Sequence, residues 1–260
     1  MKLIADIGTN PDLIKIDVAD VLLHHFLKHY SDLGVSEFIL HGNDVIIDSI
    51  KPLYNDLYNI NFVTISAEEF LKYRKRDCDT FLQLESQGLL ELYNQQYPGP
   101  NICPLWIIQN DLKKQYLSED ELCFILDLDE FVELSATELA SIHNSDIEYC
   151  SGTLVDRVGY LSNELVSLNK DINIFRQLDQ QINITKSIAN RATNKIIITR
   201  GHLESCFGHH GLYKKSDAFD KKKWSQILNV WHCKYFKQNI DGGLGRHGIK
   251  EQEYFKTRNV

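Results

Sequence analysis

Nowhere in this chain does an apolar run approach the ~20 residues that a membrane-spanning helix requires, so no membrane span is expected. No signal-peptide pattern opens it either, because Lys2 is followed by a short apolar stretch already interrupted by Asp6. A cytoplasmic location is the expectation. Positive charge is scarce: 28 Lys and Arg stand against 36 Asp and Glu, a formal net charge of −8. Nucleic-acid phosphates are bound by clustered Lys and Arg, so a nucleic-acid partner is not expected. The basic runs Lys72 to Arg76 and Lys221 to Lys223 read as solvated helix faces. Paired cysteine spacing is missing too. Cys78, Cys103, Cys123, Cys150, Cys206 and Cys233 are widely spread and mostly sit in apolar runs, which fits buried thiols rather than a disulfide framework or a structural zinc site.

What remains is the composition of an ordinary globular enzyme, 43% hydrophobic and 25% charged over 260 residues, enough for a full core. No internal repeat, low-complexity tract or clear linker divides it, and one domain over residues 1–260 is the expectation.

The first half alternates two periodicities. Leu3 to Ile7 reads as a strand before the turn Gly8-Thr9-Asn10-Pro11. Val18, Val21, Leu22, Phe26 and Leu33 then follow helical spacing, with Asp17 as N-cap and Gly34 as the stop. A strand at Phe38 to Leu40 ends at His41-Gly42-Asn43-Asp44, and a helix is predicted over Val45 to Tyr58. The strand Phe62 to Ile65 precedes Ser66 and Glu69, whose spacing predicts a capping box on a third helix running, with breaks, toward Tyr97. After a short helix at Leu134 to His143 the pattern turns β-rich: Gly152 to Val158, Ile172 to Phe175, Ile182 to Ile188, Lys195 to Thr199 and Ile227 to Phe236. Together these predict an α/β fold, a doubly wound mixed sheet that gains antiparallel strands late.

Leu122-Cys123-Phe124-Ile125-Leu126-Asp127-Leu128-Asp129-Glu130-Phe131 is the most informative run. Its apolar part reads as a buried strand, and strand alternation would turn Asp127 and Asp129 to the same side with Leu128 in the core. Like charges at the end of a buried strand are costly without a neutralising cation. Mg²⁺ or Mn²⁺ held by carboxylates, and itself holding phosphates, is one solution; the other reading is a strand running out into a solvated acidic loop. In doubly wound sheets ligands sit beyond the carboxyl ends of the strands. Asn43 and Asp44 would then face the same crevice and hold a nucleoside, or else form a simple turn.

Other residues carry paired readings. His24, His25 and His29 read as packing or surface residues of the first helix. His232, in Leu228 to Tyr235, either reaches the metal of Asp127 and Asp129 or packs beside Trp231. Asp156 could be a general base on an acceptor hydroxyl and Arg157 an anion binder, or the two form a structural ion pair. Gly208-His209-His210-Gly211 reads as a loop near the ligand.

Taken in order, these pieces resemble family-2-type glycosyltransferases of the GT-A fold, in the bacterial subgroup with an Asp-x-Asp-Glu-Phe motif. The resemblance is carried by His25 to Tyr30 leading into Asp32-Leu33-Gly34-Val35, the strand into Asn43, and Leu126 to Phe131. Leu154-Val155-Asp156-Arg157, Lys186-Ser187-Ile188, Gly208-His209-His210 and His232 to Tyr235 add to it. Two segments depart from the family: Thr9-Asn10-Pro11-Asp12 stands where an Arg-Asn-Glu-like segment is usual, and Asn43 to Asp48 where Asn-x-Ser-x-Asp is frequent.

The resemblance implies a GT-A-like, Rossmann-like sheet with a nucleotide-sugar-binding half over 1–134 and an acceptor-side half over 135–260. It implies metal-dependent, inverting transfer of a sugar from a nucleotide-sugar to a glycan or other hydroxyl acceptor, in surface glycan or polysaccharide synthesis. Asp127, Asp129 and His232 would hold Mn²⁺ or Mg²⁺, with Asp156 as base and Asp146 and Glu148 in reserve. Asn43, Asp44, Asp127, Arg157, Lys186, His209 and His210 would line the donor site. Two other classes stand against it. A phosphatase of the haloacid dehalogenase type also ends a strand in Asp-x-Asp, but near its N-terminus and with Thr or Val where Phe131 stands here. A non-catalytic nucleotide- or sugar-binding protein would keep the fold without turnover.

Overall fold

The computed structural model describes residues 1–9, 16–86, 104–161, 164–182, 194–206, 211–212 and 224–236. Its elements run β1 (Lys2–Gly8), α1 (Ile16–Asp32), β2 (Glu37–Gly42), α2 (Asp44–Tyr54), β3 (Ile60–Thr64) and α3 (Ala67–Ser86). Then come α4 (Leu105–Tyr116), β4 (Leu122–Asp127), β5 (Glu130–Val132), α5 (Ala136–His143) and β6 (Tyr149–Val158). The rest are β7 (Tyr160–Leu161), β8 (Glu164–Leu165), α6 (Ile174–Gln177), β9 (Gln180–Ile182), β10 (Asn194–Arg200), β11 (Ser205–Cys206), β12 (Gly211–Leu212) and β13 (Trp224–Tyr235).

Among the described residues nine strands form one sheet in the order β3-β2-β1-β4-β10-β6-β13-β5, with β9 paired to β6. The first four in that order are parallel. β10 lies antiparallel to both β4 and β6, so β6 again runs with β4, and β13 runs parallel to β6. Strands β1, β2, β3, β4, β6 and β13 therefore all finish at one edge of the sheet. β5 and β9 are the further antiparallel members. The expected doubly wound mixed sheet with late antiparallel strands is what forms.

Alternation along the buried strands divides the core in two. Leu3, Ala5, Phe38, Leu40, Phe124 and Leu126 face α1, α2 and α5, whereas Ile4, Ile39, Cys123 and Ile125 face α3 and α4. Large side chains of α1 such as Phe26 and Tyr30 are fully buried, each contributing roughly 1.5–3 kcal/mol relative to exposure.

Local chemistry sets the ends. Ser66 and Glu69 form the expected reciprocal cap, with Ser66 N–H donating to Glu69 Oε2 at 2.9 Å and Glu69 N–H to Ser66 Oγ at 3.2 Å. Ser135 and Glu138 do the same for α5. After α1, Gly34 takes φ +99°, a left-handed conformation in which a Cβ is disfavoured.

Three sequence expectations change. Ile172 to Phe175 is not a strand: Asn173 accepts from Phe175 N–H and caps the short helix α6. Asp17 lies within the first turn of α1 rather than before it. Helix α4 was not anticipated, because its buried face mixes Gln109, Asn110 and Lys113 with the apolar residues and hides the amphipathic pattern. α3 reaches Ser86; the remainder of the predicted third helix, and Asn183 to Ile188 of the predicted strand, lie outside the described residues.

Candidate active site

At the edge where the parallel strands finish, charged residues replace apolar ones in neighbouring strands. Asp6 stands in register with His41 on β2 and with Asp127 on β4. All three continue the face of Ile4, Ile39 and Ile125. A polar row of this kind is costly to bury, so each member needs a partner.

Asp6 finds its partners in the turn that follows β1. Its Oδ1 accepts from Gly8 N–H at 3.1 Å, Thr9 N–H at 2.8 Å and Thr9 Oγ1 at 2.6 Å. Gly8 makes that turn at φ +128°, where glycine is favoured. Thr9 Oγ1 also lies 2.8 Å from His41 Nδ1. A hydroxyl that gives its proton to Asp6 must accept there, so His41 carries hydrogen on Nδ1 and its Nε2 is the lone-pair atom. That Nε2 is buried and has no hydrogen-bond partner among the described residues. Burial lowers the His41 pKa, against the pull of Asp6 and Asp127.

Asp127 is engaged by a residue that sequence reasoning missed. Lys195, at the start of β10, places Nζ 3.0 Å from Asp127 Oδ2 and 2.9 Å from each oxygen of Glu130. Three contacts match the three hydrogens of an ammonium. Glu130 in turn accepts the backbone N–H of Asp127 at 2.9 Å. Lys195 and Glu130 are buried, while a third of the Asp127 side chain remains accessible. Burial works against the charge on Lys195, but Asp127 and Glu130 outweigh it and hold the ammonium above its ordinary range. Burial likewise pushes the Glu130 carboxyl up, opposed by Lys195. The cation that the acidic run demands is thus supplied in part by the chain. The available signal was a lysine opening the apolar strand Ile196-Ile197-Ile198.

Asp129 lies by another basic group. β4 stops at Asp127, so strand alternation does not carry through to 129, and the expected sharing of one partner by the two acids gives way to separate ones. Asp129 Oδ2 is 3.5 Å from His232 Nε2, and His232 Nδ1 is 2.8 Å from Asp156 Oδ1. Register explains the meeting: β13 sets His232 opposite Asp156 on β6 and opposite Glu130 on β5. Asp156 accepting from Nδ1–H leaves Nε2 as the ring atom that faces Asp129.

Two ligand atoms on one ion, each ~2.1 Å from it, stand about 3.0 Å apart at right angles and about 3.4 Å apart at the tetrahedral angle. The donor pair Asp129 Oδ2 and His232 Nε2, at 3.5 Å, stands at the tetrahedral spacing and would have to close by about 0.5 Å for an octahedral ion such as Mn²⁺ or Mg²⁺. The expected three-residue set does not close, because among the described residues no three His, Cys, Asp or Glu side chains are grouped to hold a metal. Asp127 is on Lys195 instead.

The other expected site residues fall as follows. Asp156 is 2% exposed and sits behind His232, a position suited to orienting the imidazole and not to meeting an acceptor hydroxyl. Asp146 and Glu148 lie at the opposite end of β6, eight or more residues from Asp156 at ~3.3 Å each, and Glu148 pairs with His202 at 3.1 Å; neither reaches this edge. Arg157 does not hold Asp156 in the expected pair. Its guanidinium stacks on Trp231, 4.2 Å from the ring centre, and its buried Nε has no hydrogen-bond partner.

Asn43 is spent on structure: it caps α2 through Ile46 N–H and donates to Gly8 O. Asp44 follows it, exposed, in the first turn of α2. His25 and His29 pack as expected, on Asn169 O and Val132 O, both at 3.1 Å. Lys186, His209 and His210 lie outside the described residues.

No family model and no curated protein matches the chain. Among solved structures it is similar to HddC from Yersinia pseudotuberculosis, at 12% identity over 98% of this chain and 96% of that one, with a TM-score of 0.38. It is similar to 4-diphosphocytidyl-2C-methyl-D-erythritol synthase from Anaerococcus prevotii at 12% identity, covering 98% and 92%, with a TM-score of 0.38. Mouse xyloside xylosyltransferase 1 matches at 12% identity over 62% and 53%, with a TM-score of 0.33. Likenesses at this level carry no functional argument, and the reading of the site rests on its own geometry.

Proposed function

We propose that this protein is a glycosyltransferase that takes a nucleotide-sugar donor, together with Mn²⁺ or Mg²⁺, and passes the sugar to a glycan or other hydroxyl acceptor. The observation that carries the reading is the trio Asp129, His232 and Asp156. It joins a carboxylate and an oriented imidazole at ligand spacing, on the strand edge where doubly wound sheets bind ligands.

When bound, the ion supplies positive charge against the diphosphate that leaves. Asp129 Oδ2 and His232 Nε2 would hold it. Asp156 keeps the hydrogen of His232 on Nδ1 and so keeps Nε2 available as a donor atom. Lys195, buried and engaged by Asp127 and Glu130, holds the acidic turn in place beside this pair. Arg157, buried against Trp231, remains a proposed anion contact through the resemblance alone. Asp44, exposed in the first turn of α2 just beyond β2, remains a proposed nucleoside contact. Lys186, His209 and His210 remain proposed donor contacts through the resemblance. Inversion, from in-line attack by the acceptor hydroxyl, belongs to the same proposal.

The test is incubation with a panel of nucleotide-sugars, Mn²⁺ and acceptor glycans while nucleoside diphosphate release is followed. Metal-dependent release that stops in Asp129→Asn supports the reading; binding of nucleotide-sugar without release by any pair supports a non-catalytic binding protein instead. The Lys195–Asp127 contact favours a second reading, a phosphatase in which a fixed ammonium steadies Asp127 as nucleophile. Release of inorganic phosphate from phosphomonoesters, abolished by Asp127→Asn, would decide for it.

A further inference from the structure

We propose that His29 and Tyr30 of α1 are positioning residues for the candidate site: side by side they take the place of a neighbouring strand along the outer edge of β5, and so hold Asp129 against His232. This rests on the reading above that Asp129 and His232 face a divalent ion.

β5 is a strand in need of support. It has three residues and, among the described residues, ends the sheet, with β13 along its inner edge. So short a strand paired on one edge is marginal. Asp129 O accepts Cys233 N–H at 2.7 Å, and Glu133 N–H donates to Asn229 O at 2.9 Å. Residues 129 and 133 thus turn their backbone groups to β13, and alternation turns those of Glu130 and Val132 outward.

The helix answers those outward groups one by one. Tyr30 Oη donates to Glu130 O at 3.0 Å and accepts Val132 N–H at 3.0 Å. His29 Nε2 lies 3.1 Å from Val132 O and, facing a carbonyl, carries the hydrogen. Tyr30 and Val132 are fully buried and Glu130 is 2% exposed, so backbone groups deprived of the hydroxyl would be left desolvated. Rings brace the same strand from its face. Phe131 stands 5.5 Å from His29 and 5.6 Å from Phe175, centre to centre, and Phe175 stands 4.3 Å from Trp231 of β13.

The consequence reaches the site directly. Asp129 immediately precedes Glu130, and β13 sets His232 opposite Glu130. The 3.5 Å between Asp129 Oδ2 and His232 Nε2 is therefore set by how β5 lies on β13. A shift of about 1 Å there is enough to spoil a working geometry.

The experiment compares two buried tyrosines whose hydroxyls each have two bonding contacts. Tyr30→Phe removes the hydroxyl that grips β5. Tyr54→Phe removes one that contacts Asp20 O at 3.0 Å and Asp20 Oδ1 at 2.8 Å, between α2 and α1. Two readouts are taken on the full chain: Mn²⁺ affinity by electron paramagnetic resonance in the presence of UDP or GDP, and native-state hydrogen exchange of the Cys233 amide. Tyr30→Phe should weaken Mn²⁺ binding by about tenfold or more, the scale of losing support for a ligand. It should also speed Cys233 exchange by about tenfold or more. Tyr54→Phe should leave both within about twofold of wild type while lowering Tm.

Any other pattern in folded proteins overturns the proposal: a readout that Tyr30→Phe leaves unmoved, or equal changes in the two variants, which would mark a general loss of stability. If Tyr30→Phe does not fold, His29→Leu, which removes the contact to Val132 O alone, takes its place with about threefold or more expected in each readout. Failure of the wild-type protein to bind Mn²⁺ with either nucleotide is a different result. It removes the metal-dependent reading, and the exchange contrast then decides by itself whether α1 holds the acidic turn on β13.

Discussion

Replacing Lys195 by Met should be among the most damaging single changes in this protein, for reasons that can be put in numbers. The ammonium is 2.9 Å from Glu130, with side chains 4% and 2% exposed, and at an effective dielectric of about 20 the Coulomb term is about 6 kcal/mol. Desolvation of both ions cancels much of that, so the pair's net worth is far smaller. Removing one partner is another matter, because Glu130 is left buried with its charge uncompensated, at a cost of about 3–5 kcal/mol. For a chain of this size each kcal/mol lowers Tm by roughly 2–4 °C, so Lys195→Met should lower it by roughly 6–20 °C.

A double-mutant cycle with Glu130→Gln checks the mechanism, read from urea unfolding curves. If the loss comes from a stranded charge, Glu130→Gln in the Lys195→Met background should recover about 1–3 kcal/mol. The exposed pair Lys28–Asp32, at 3.2 Å with side chains 63% and 68% exposed, is the control. Its disruption by Asp32→Asn should cost about 0.5 kcal/mol or less. A Lys195→Met protein within 1 kcal/mol of wild type, or one that Glu130→Gln destabilises further, would refute the reasoning.

Other outcomes follow from the same structure. Asp129→Asn should lower sugar transfer by about 10²-fold while Tm stays near that of wild type, since a strong electrostatic stabiliser is lost and no core contact is; turnover near the wild-type rate in a folded variant ends the assignment. His232→Ala should weaken Mn²⁺-dependent nucleotide binding by about tenfold or more, whereas a loss of thermal stability with metal affinity unchanged would mark His232 as a packing residue. Asp77 accepts from Trp106 Nε1 at 2.7 Å, and burial raises its pKa to about 6. The folded state then holds a proton that the unfolded chain releases, so stability falls as pH rises from about 4 to 6; Asp77→Asn should flatten that slope and stabilise at pH 8 by on the order of 1–2 kcal/mol, which Tm measured against pH will show. A Cβ at Gly159 would lie 1.8 Å from the backbone oxygen of Gln177, so Gly159→Ala should destabilise by about 2 kcal/mol or more, readable as a lowered Tm, because backbone does not yield as a side-chain tip does.

Local signals were legible where the deciding contacts lie within a few residues. The apolar run at 122–126 is β4, the Ser66–Glu69 spacing is a cap, and Gly34 is a helix stop, because periodicity, capping and φ preference act over one turn or one strand. The alternation of β and α units likewise carried the doubly wound architecture. Helix α4 was hidden by buried polar groups whose partners lie far away, such as Asn110, which donates to Ser205 O from 95 residues off. Strand-like composition at Ile172 to Phe175 lost to the Asn173 cap.

At the edge of the sheet, sequence set the demand and tertiary structure chose the answer. Acids placed at the end of a buried strand require a partner, a cation or hydrogen-bond donors, unless the strand end stays solvated, since desolvated like charges cannot stand alone. Which group serves which acid was settled by strand register. The antiparallel pairing of β10 with β4 brings Lys195 to Asp127 across 68 residues. The parallel pairing of β13 with β6 brings His232 to Asp156 across 76. Register is fixed by the burial of whole faces, because a one-residue slip would turn every side chain of a strand to the other side, and no short stretch of sequence contains that information.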